Sequence, residues 1–370
     1  MSRLRVVNRQ AKHTLAISKY PDTQPHWVAD MPFATPEPIL SAIRDRVAEG
    51  HFSYPSIPDT IYDSIQHWCR TRYNWEIKYE WLVIVPNTMS GIRVGVKSVY
   101  KNRLFFLQRP NYGKLLNLAN GFDIVPKEID VTLSGKPFVA SDLLEIKRSC
   151  PSAVVLCNPT NPTGIVSRRE ELESMADSIK ELDTIIISNE SHADFILGDR
   201  PHIPAGSVKG LENRSITILS PSKTFNLAGI SVAYAVIPSR SIRESFISTQ
   251  AFYATGINGL GLVALEHAYL HCTEWLDELI VLLKENQSLM YNGLLNTSLR
   301  YSPADASYLA WIDAREAGDH VFERLLHKGI AVSDGREFGS PGWIRLNFAC
   351  PTDQLKDSIK TIFSLFGKSK

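Results

Sequence analysis

The stretch "ITILSPSKTFNLAG", residues 216–229, decides how the rest of the chain is read. Its first part is a short β-branched run of the kind that forms a buried strand, and it ends abruptly in a polar cluster with one lysine between two serines. A lysine in that place is by default a solvated surface residue. Here its neighbours Phe225, Leu227 and Ala228 call for burial, and a partly buried lysine loses basicity by desolvation, which makes its amine a nucleophile able to form a Schiff base. The adjoining serines and backbone N–H groups are suited to holding a phosphate.

The same layout recurs along the chain. Strand-like runs "LVIVP" (82–86), "RLFFLQ" (103–108), "AVVLCN" (153–158), "TIIIS" (184–188) and "AYAVIP" (233–238) alternate with segments of helical period. One such segment is "SRREELESMADSIKEL" (167–182), with a Ser start and an apolar stripe at Leu172, Met175, Ile179 and Leu182; another is "PEPILSAIRDRVAEG" (36–50), closed by Gly50. Alternation of this kind predicts a mainly parallel sheet with helices on both faces. In open α/β sheets ligands bind outside the carboxyl ends of the strands. The polar clusters "PNTMSG" (86–91), "RPNYG" (109–113), "NPTNPTG" (158–164), "NESHAD" (189–194) and "SPSKTFN" (220–226) each follow a strand, so they are expected to converge on one mouth. After about residue 260 a long helical tract (260–295) precedes mixed strands and helices, which predicts a second, smaller α+β region.

Composition excludes several other classes. With 370 residues and a formal charge of +1, the chain has a substantial core and no basic surplus pointing to nucleic acid or an anionic membrane. Neither a signal-peptide core nor a run approaching a membrane span is visible, so a cytoplasmic protein is expected. The five cysteines are scattered without a CxxC pair, which suggests core thiols and no metal site.

In this order and spacing, "CNPTNPTG", "SNESHAD", "SPSKTFNLAG" and "WIRLNFACP" resemble the fold-type I pyridoxal phosphate (PLP) enzymes of the class I/II aminotransferase group. "WVADMPFATPEPIL", "FSYPSIPDTIYDSIQHW" and "RLNFACP" resemble, more narrowly, the cystathionine β-lyase/cystalysin-like (MalY/PatB) branch. The likeness runs over roughly residues 20 to 365. It implies an α/β fold with a seven-stranded, mainly parallel sheet in a large domain, residues 46–262, and a smaller α+β domain from residues 1–45 and 263–370. It implies pyridoxal 5'-phosphate as cofactor, an L-amino acid as substrate and a homodimer with shared active sites.

Position by position, the resemblance implies that Lys223 carries the cofactor and moves the substrate Cα proton. Ser220, Ser222, Thr88 and Met89 hold the phosphate, and Tyr54 reaches it across the dimer interface. Tyr112 stacks on the pyridine ring, Asn161 and His192 lie near its phenolic oxygen, and Arg345 grips the substrate carboxylate in a bidentate fork. Taken singly, Tyr112 reads as a core or rim aromatic, Arg345 as an ion-pair partner, His192 as a structural histidine and Thr88 as a helix cap. With Lys223 they read as one site.

Four positions depart from the family pattern. Asn189 stands where the family has an aspartate that keeps the pyridine nitrogen protonated; a neutral amide cannot supply that charge. Ser191, His26 and Pro32 replace apolar or acidic residues, which points to a pocket retuned for a polar amino acid, with His26 and Ser191 as candidates for hydrogen bonding or proton transfer to a leaving group. Ser231, where many aminotransferases carry a phosphate-binding arginine, is no such departure, since members of the lyase branch also lack that arginine, and it turns the reading away from a plain transaminase. The expected reaction is therefore Cα deprotonation followed by elimination, one version being cyclodehydration of a hydroxylated arginine-like substrate in specialised metabolism. A cystathionine or cysteine-conjugate β-lyase, an aminotransferase and a non-catalytic PLP-binding protein are the alternatives.

Overall fold

The computed structural model describes residues 3–8, 14–120, 122, 124–131, 136–253 and 256–368, with the backbone alone at 119 and 120. Its main sheet has seven strands: β1 Leu82–Val85, β2 Leu104–Arg109, β3 Val125–Asp130, β4 Ala153–Cys157, β5 Ile185–Asn189, β6 Ser215–Leu219 and β7 Ala233–Val236. They lie in the order β1-β7-β6-β5-β4-β2-β3. Only β7 is reversed in direction: it pairs antiparallel with β1 and with β6, and the other pairings are parallel. Every residue of β4, β5 and β6 is buried, as expected of continuous apolar strands covered on both faces. The register pairs Cys157 with Asn189 and Asn189 with Ile218, so the carboxyl ends of these strands, and the polar residues after them, share one edge.

Strand β3 has no counterpart among the sequence-predicted strands. "VPKEID" is mostly exposed and pairs with β2 alone, so it carries little of the apolar signal by which strands are read. The predicted helix over 167–182 is Arg169–Ile179, with Leu172, Met175, Ala176 and Ile179 turned inward. On the opposite face of the sheet lies the helix Thr88–Ser98. It approaches closely through Gly91, where a Cβ would sit 3.2 Å from Val85 Cγ2 and 3.3 Å from Ile218 Cδ1.

The tract expected as one helix over 260–295 is two, Gly259–His271 and Thr273–Leu294, broken at Cys272, whose φ and ψ of −119° and 15° leave the helical region. A second sheet follows, β8 Arg300–Tyr301, β9 Leu309–Asp313, β10 Ser333–Asp334 and β11 Trp343–Asn347, antiparallel in the order β10-β11-β9-β8. The N-terminal segment joins this part through Gln24–Pro25, which pairs with Ile330–Ala331. One apolar core runs from Ile65, Trp68 and Phe225 through Leu279 to Ile312 and Leu346. The proposed division at 262/263 falls within the helix Gly259–His271, and the apolar packing runs across it; residues 1–2, 9–13 and 369–370 of the expected smaller part lie outside the described residues. Four cysteines are buried as expected, whereas Cys150 is exposed at a helix end.

Candidate active site

Beyond the carboxyl ends of β4, β5 and β6 lies a cavity of about 630 Å³, walled by polar loops of the main sheet, by Trp27–Ala29, and by Ser333 and Arg345 of the second sheet. A larger groove, about 720 Å³, runs past Tyr291, Trp311 and Trp343 and touches none of the candidate site residues. The smaller cavity gathers Thr88, Met89, Tyr112, Asn161, Asn189, Ser191, His192, Ser220, Ser222, Lys223 and Arg345.

Lys223 stands on the short turn Pro221–Thr224 and donates from Nζ to the carbonyl of Ala29 at 2.7 Å. Burial, and then the nearby Arg345, lower its pKa from 10.5 to about 8 against the opposing pull of Asp30. Near pH 7 about a tenth of these amines are neutral, against roughly one in three thousand at the ordinary value. The turn is anchored from behind by Asp194. Its Oδ2 accepts from Thr224 Oγ1 at 2.5 Å, and its Oδ1 accepts from Tyr73 Oη at 2.6 Å and Trp68 Nε1 at 3.1 Å.

One end of the cavity is built for an anion. Asn87 caps the helix Thr88–Ser98 by accepting from Ser90 N–H at 2.9 Å, and Asn87, Thr88 and Met89 line the cavity at that helix's N-terminus, the end that favours negative charge. The Ser220 hydroxyl donates to Val232 O at 2.6 Å and accepts from Ser222 N–H at 3.1 Å. It therefore braces the lysine turn while it lines the wall.

At the opposite side Arg345 is held on three sides. Nη1 donates to Asn161 Oδ1 at 3.0 Å; Nη2 donates to Trp27 O at 2.8 Å and to Ser333 Oγ at 3.2 Å. Its Nε is buried with no partner among the described residues. Burial lowers its pKa to about 10, Glu337 opposing, so it remains a cation at neutral pH. His192 pairs through Nδ1 with Ser307 Oγ at 3.1 Å. Burial, with Lys223 and Arg345 next, drives its pKa to about 3. It is neutral wherever the protein is folded and active, so the pH–rate profile is expected to lack a limb that His192→Asn removes.

Two expectations need correction. His26 is outside the cavity: it is buried, with Nδ1 against Asn347 O at 2.7 Å and Nε2 against Ser358 Oγ at 2.9 Å. Both ring nitrogens thus tie the N-terminal segment to β11 and the last helix, and neither is aimed at a substrate. His26→Asn should lower the thermal midpoint, by about 1–2 kcal/mol of stability, while leaving the pH–rate profile in place. Ser191 lines the wall, but its hydroxyl donates to Asn189 Oδ1 at 2.6 Å rather than facing a substrate. Tyr54 is fully exposed and lines a separate groove beside Pro55 and Asn258, so it completes no site within one chain.

The cavity also holds groups that sequence reasoning missed. The carbonyls of Trp27 and Ala29 receive Arg345 and Lys223, and backbone acceptors leave no mark on residue type. Ser333 arrives through the pairing Ser333–Arg345 in a two-residue strand too short to read. Lys114 and Glu337 stand in the wall as ordinary surface charges of the sequence.

Comparison with known proteins follows the same lines. Residues 27–362 match the family model for aminotransferase class I and II. Cystathionine beta-lyase PatB of Bacillus subtilis (strain 168) is 31% identical over 357 residues, which span 92% of each chain. Among solved structures, OvoB is 28% identical with a TM-score of 0.93 over 100% of both chains. A PLP-bound protein of Clostridium difficile 630 is 27% identical, with a TM-score of 0.89 over 97% of this chain and 98% of its own.

Proposed function

The chain belongs to the aminotransferase class I and II family, in the branch of PatB, and is a pyridoxal 5'-phosphate enzyme; from that premise we propose that it removes the Cα proton of an L-amino acid and eliminates a leaving group. The observation that carries this reading is the placing of the Lys223 amine and the Arg345 guanidinium on one cavity whose wall carries the amide Asn189 in place of an acid.

The residues present fit the cofactor. Thr88, Met89 and Ser222 would hold the phosphate at a helix N-terminus, Tyr112 would lie against the ring, and Lys223 would bond to the aldehyde carbon. Bound there, pyridoxal phosphate supplies an electron-withdrawing ring that stabilises negative charge developing at Cα.

The chain's own groups do the rest. Arg345 binds the substrate α-carboxylate; three of its five N–H groups are already given to Asn161, Trp27 and Ser333, which leaves Nε–H and the second hydrogen of Nη1 as donors. Asn161 and the Trp27 carbonyl keep the guanidinium plane in place. Lys223 Nζ, with a pKa near 8, takes the Cα proton close to neutral pH and is positioned to return it to a leaving group. Trp27–Ala29 wall the cavity on the side of the N-terminal segment. Arg345→Gln is expected to lower kcat/KM by about two orders of magnitude, mostly through KM, because a charge-assisted bidentate contact is lost.

For the substrate we favour a cationic, hydroxylated amino acid undergoing cyclodehydration, because Glu337 is the acid among the described lining residues and suits a guanidinium side chain. Sulfur β-elimination is the second reading, and the likeness to PatB favours it. A panel of amino acids incubated in deuterated water and analysed by mass separates them. Water loss with nitrogen retained supports cyclodehydration; keto acid with ammonia supports the β-lyase. Keto acid formed only with an amino acceptor supports transamination, and absence of Cα–deuterium exchange supports a binding role. We also propose a homodimer, in which Tyr54 reaches a partner's phosphate; exposed Phe52 and Phe252 support an apolar contact face. Sedimentation showing only monomers, with Tyr54→Phe unchanged in cofactor affinity, would overturn it.

A further inference from the structure

We infer that Ser191 is a positioning residue that locks the Asn189 amide, so that Asn189 presents an N–H donor to the ring nitrogen of bound pyridoxal phosphate and holds that nitrogen unprotonated. The inference rests on reading this cavity as the cofactor site.

Asn189 ends β5 with 7% of its surface exposed, on the cavity wall. Its Oδ1 is taken twice by the next loop, from the Ser191 hydroxyl at 2.6 Å and from the Ser191 backbone N–H at 3.3 Å. A hydroxyl can donate or accept, but a backbone N–H only donates, so the amide atom facing it is the oxygen. Nδ2 is thereby turned away from Ser191, and it has no acceptor among the described residues. A cofactor tethered at its aldehyde carbon by Lys223 has its ring nitrogen on the opposite side of the ring. That nitrogen carries a lone pair only when unprotonated, and only then can it accept from Nδ2–H.

No carboxylate competes for the position. Glu190 and Asp194 flank it in sequence but face elsewhere. Glu190 accepts from Ser188 Oγ at 2.7 Å and from Ala205 N–H at 2.9 Å, and meets His202 Nε2 at 2.7 Å. Asp194 is occupied by Trp68, Tyr73 and Thr224. Among the described lining residues the one acid is Glu337, whose charge acts on Arg345. A ring held in this form withdraws fewer electrons. Charge at Cα is then best relieved by prompt departure of a leaving group, which favours elimination over transamination.

The test is the nitrogen NMR shift of the full chain reconstituted with pyridoxal phosphate labelled at the ring nitrogen. Wild type should resonate in the unprotonated-pyridine range, and Asn189→Asp should move the signal into the pyridinium range. Ser191→Ala, with cofactor retained, loses the 2.6 Å hydroxyl bond and keeps only the longer backbone contact at 3.3 Å, so the less firmly held amide should displace or broaden the signal, and Ser191→Thr should restore it. A pyridinium signal in the wild-type protein overturns the inference while leaving the cofactor site intact. An unmoved signal in Ser191→Ala removes Ser191 from it. Failure of the protein to take up the cofactor at all sinks the reading of the cavity and the inference with it.

Discussion

Lys223→Ala lowers Cα–deuterium exchange by at least about a thousandfold, the scale on which a positioned general base acts, while leaving the chain folded. The expectation follows from its place: Nζ reaches into the cavity shared with Arg345 and is held by a single carbonyl, Ala29 O. Exchange persisting near the wild-type rate would remove Lys223 as the base. The same residue sets a pH dependence in the cofactor-free protein. The neutral amine is the nucleophile, so the rate of cofactor uptake should rise about tenfold per pH unit and level off near 8, not near 10.5. Arg345→Gln removes a positive neighbour and should move that plateau to higher pH. Stability carries the matching sign. The folded pKa lies below the unfolded one, so the unfolded chain binds more protons between about 8 and 10.5. Stability of the cofactor-free protein therefore rises with pH through that window, and Lys223→Ala should flatten the slope.

The second large effect is on the fold. Asp194→Ala should destabilise the protein by about 3–5 kcal/mol, because removal of one buried carboxylate strands three buried donors. Those donors are Trp68 Nε1, Tyr73 Oη and Thr224 Oγ1, and they tie the helix Asp59–Tyr73 to the turn that carries Lys223. Asp194→Asn keeps an acceptor but turns an NH₂ toward a donor, and should recover only part of the loss. Denaturant midpoints compared with wild type measure both. A midpoint within experimental error of wild type for the alanine variant would show that the network carries no stability.

Much of the site was legible from residue types because it sits where strands end. The runs that became β4, β5 and β6 are mainly apolar and lead into polar clusters, and parallel pairing brings those ends to one edge. Lys223 stood out because its neighbours belong inside. His26 misled for an equally local reason: a histidine before "WVADM" is chemically able to transfer protons, and nothing in its neighbours reveals Asn347 and Ser358 against its ring. Ser191 was rightly placed on the wall but pointed the wrong way, since a hydroxyl near a substrate pocket says nothing about which acceptor it will find first.

By itself, the sequence determined the sheet's main strands, the edge where the polar clusters gather and the lysine among them, because those features rest on periodicity and on burial preferences that act over a few residues. Tertiary structure alone decided the opposite wall. Arg345 meets Asn161 across 184 positions of chain, Lys223 meets the Ala29 carbonyl across 194, and Ser333 joins them through strand register. It also decided the orientation of Asn189, whose two amide atoms are distinguished only by the donor that packs against one of them. Such pairings depend on how the second sheet and the N-terminal segment dock on the first, a packing outcome that no local pattern encodes.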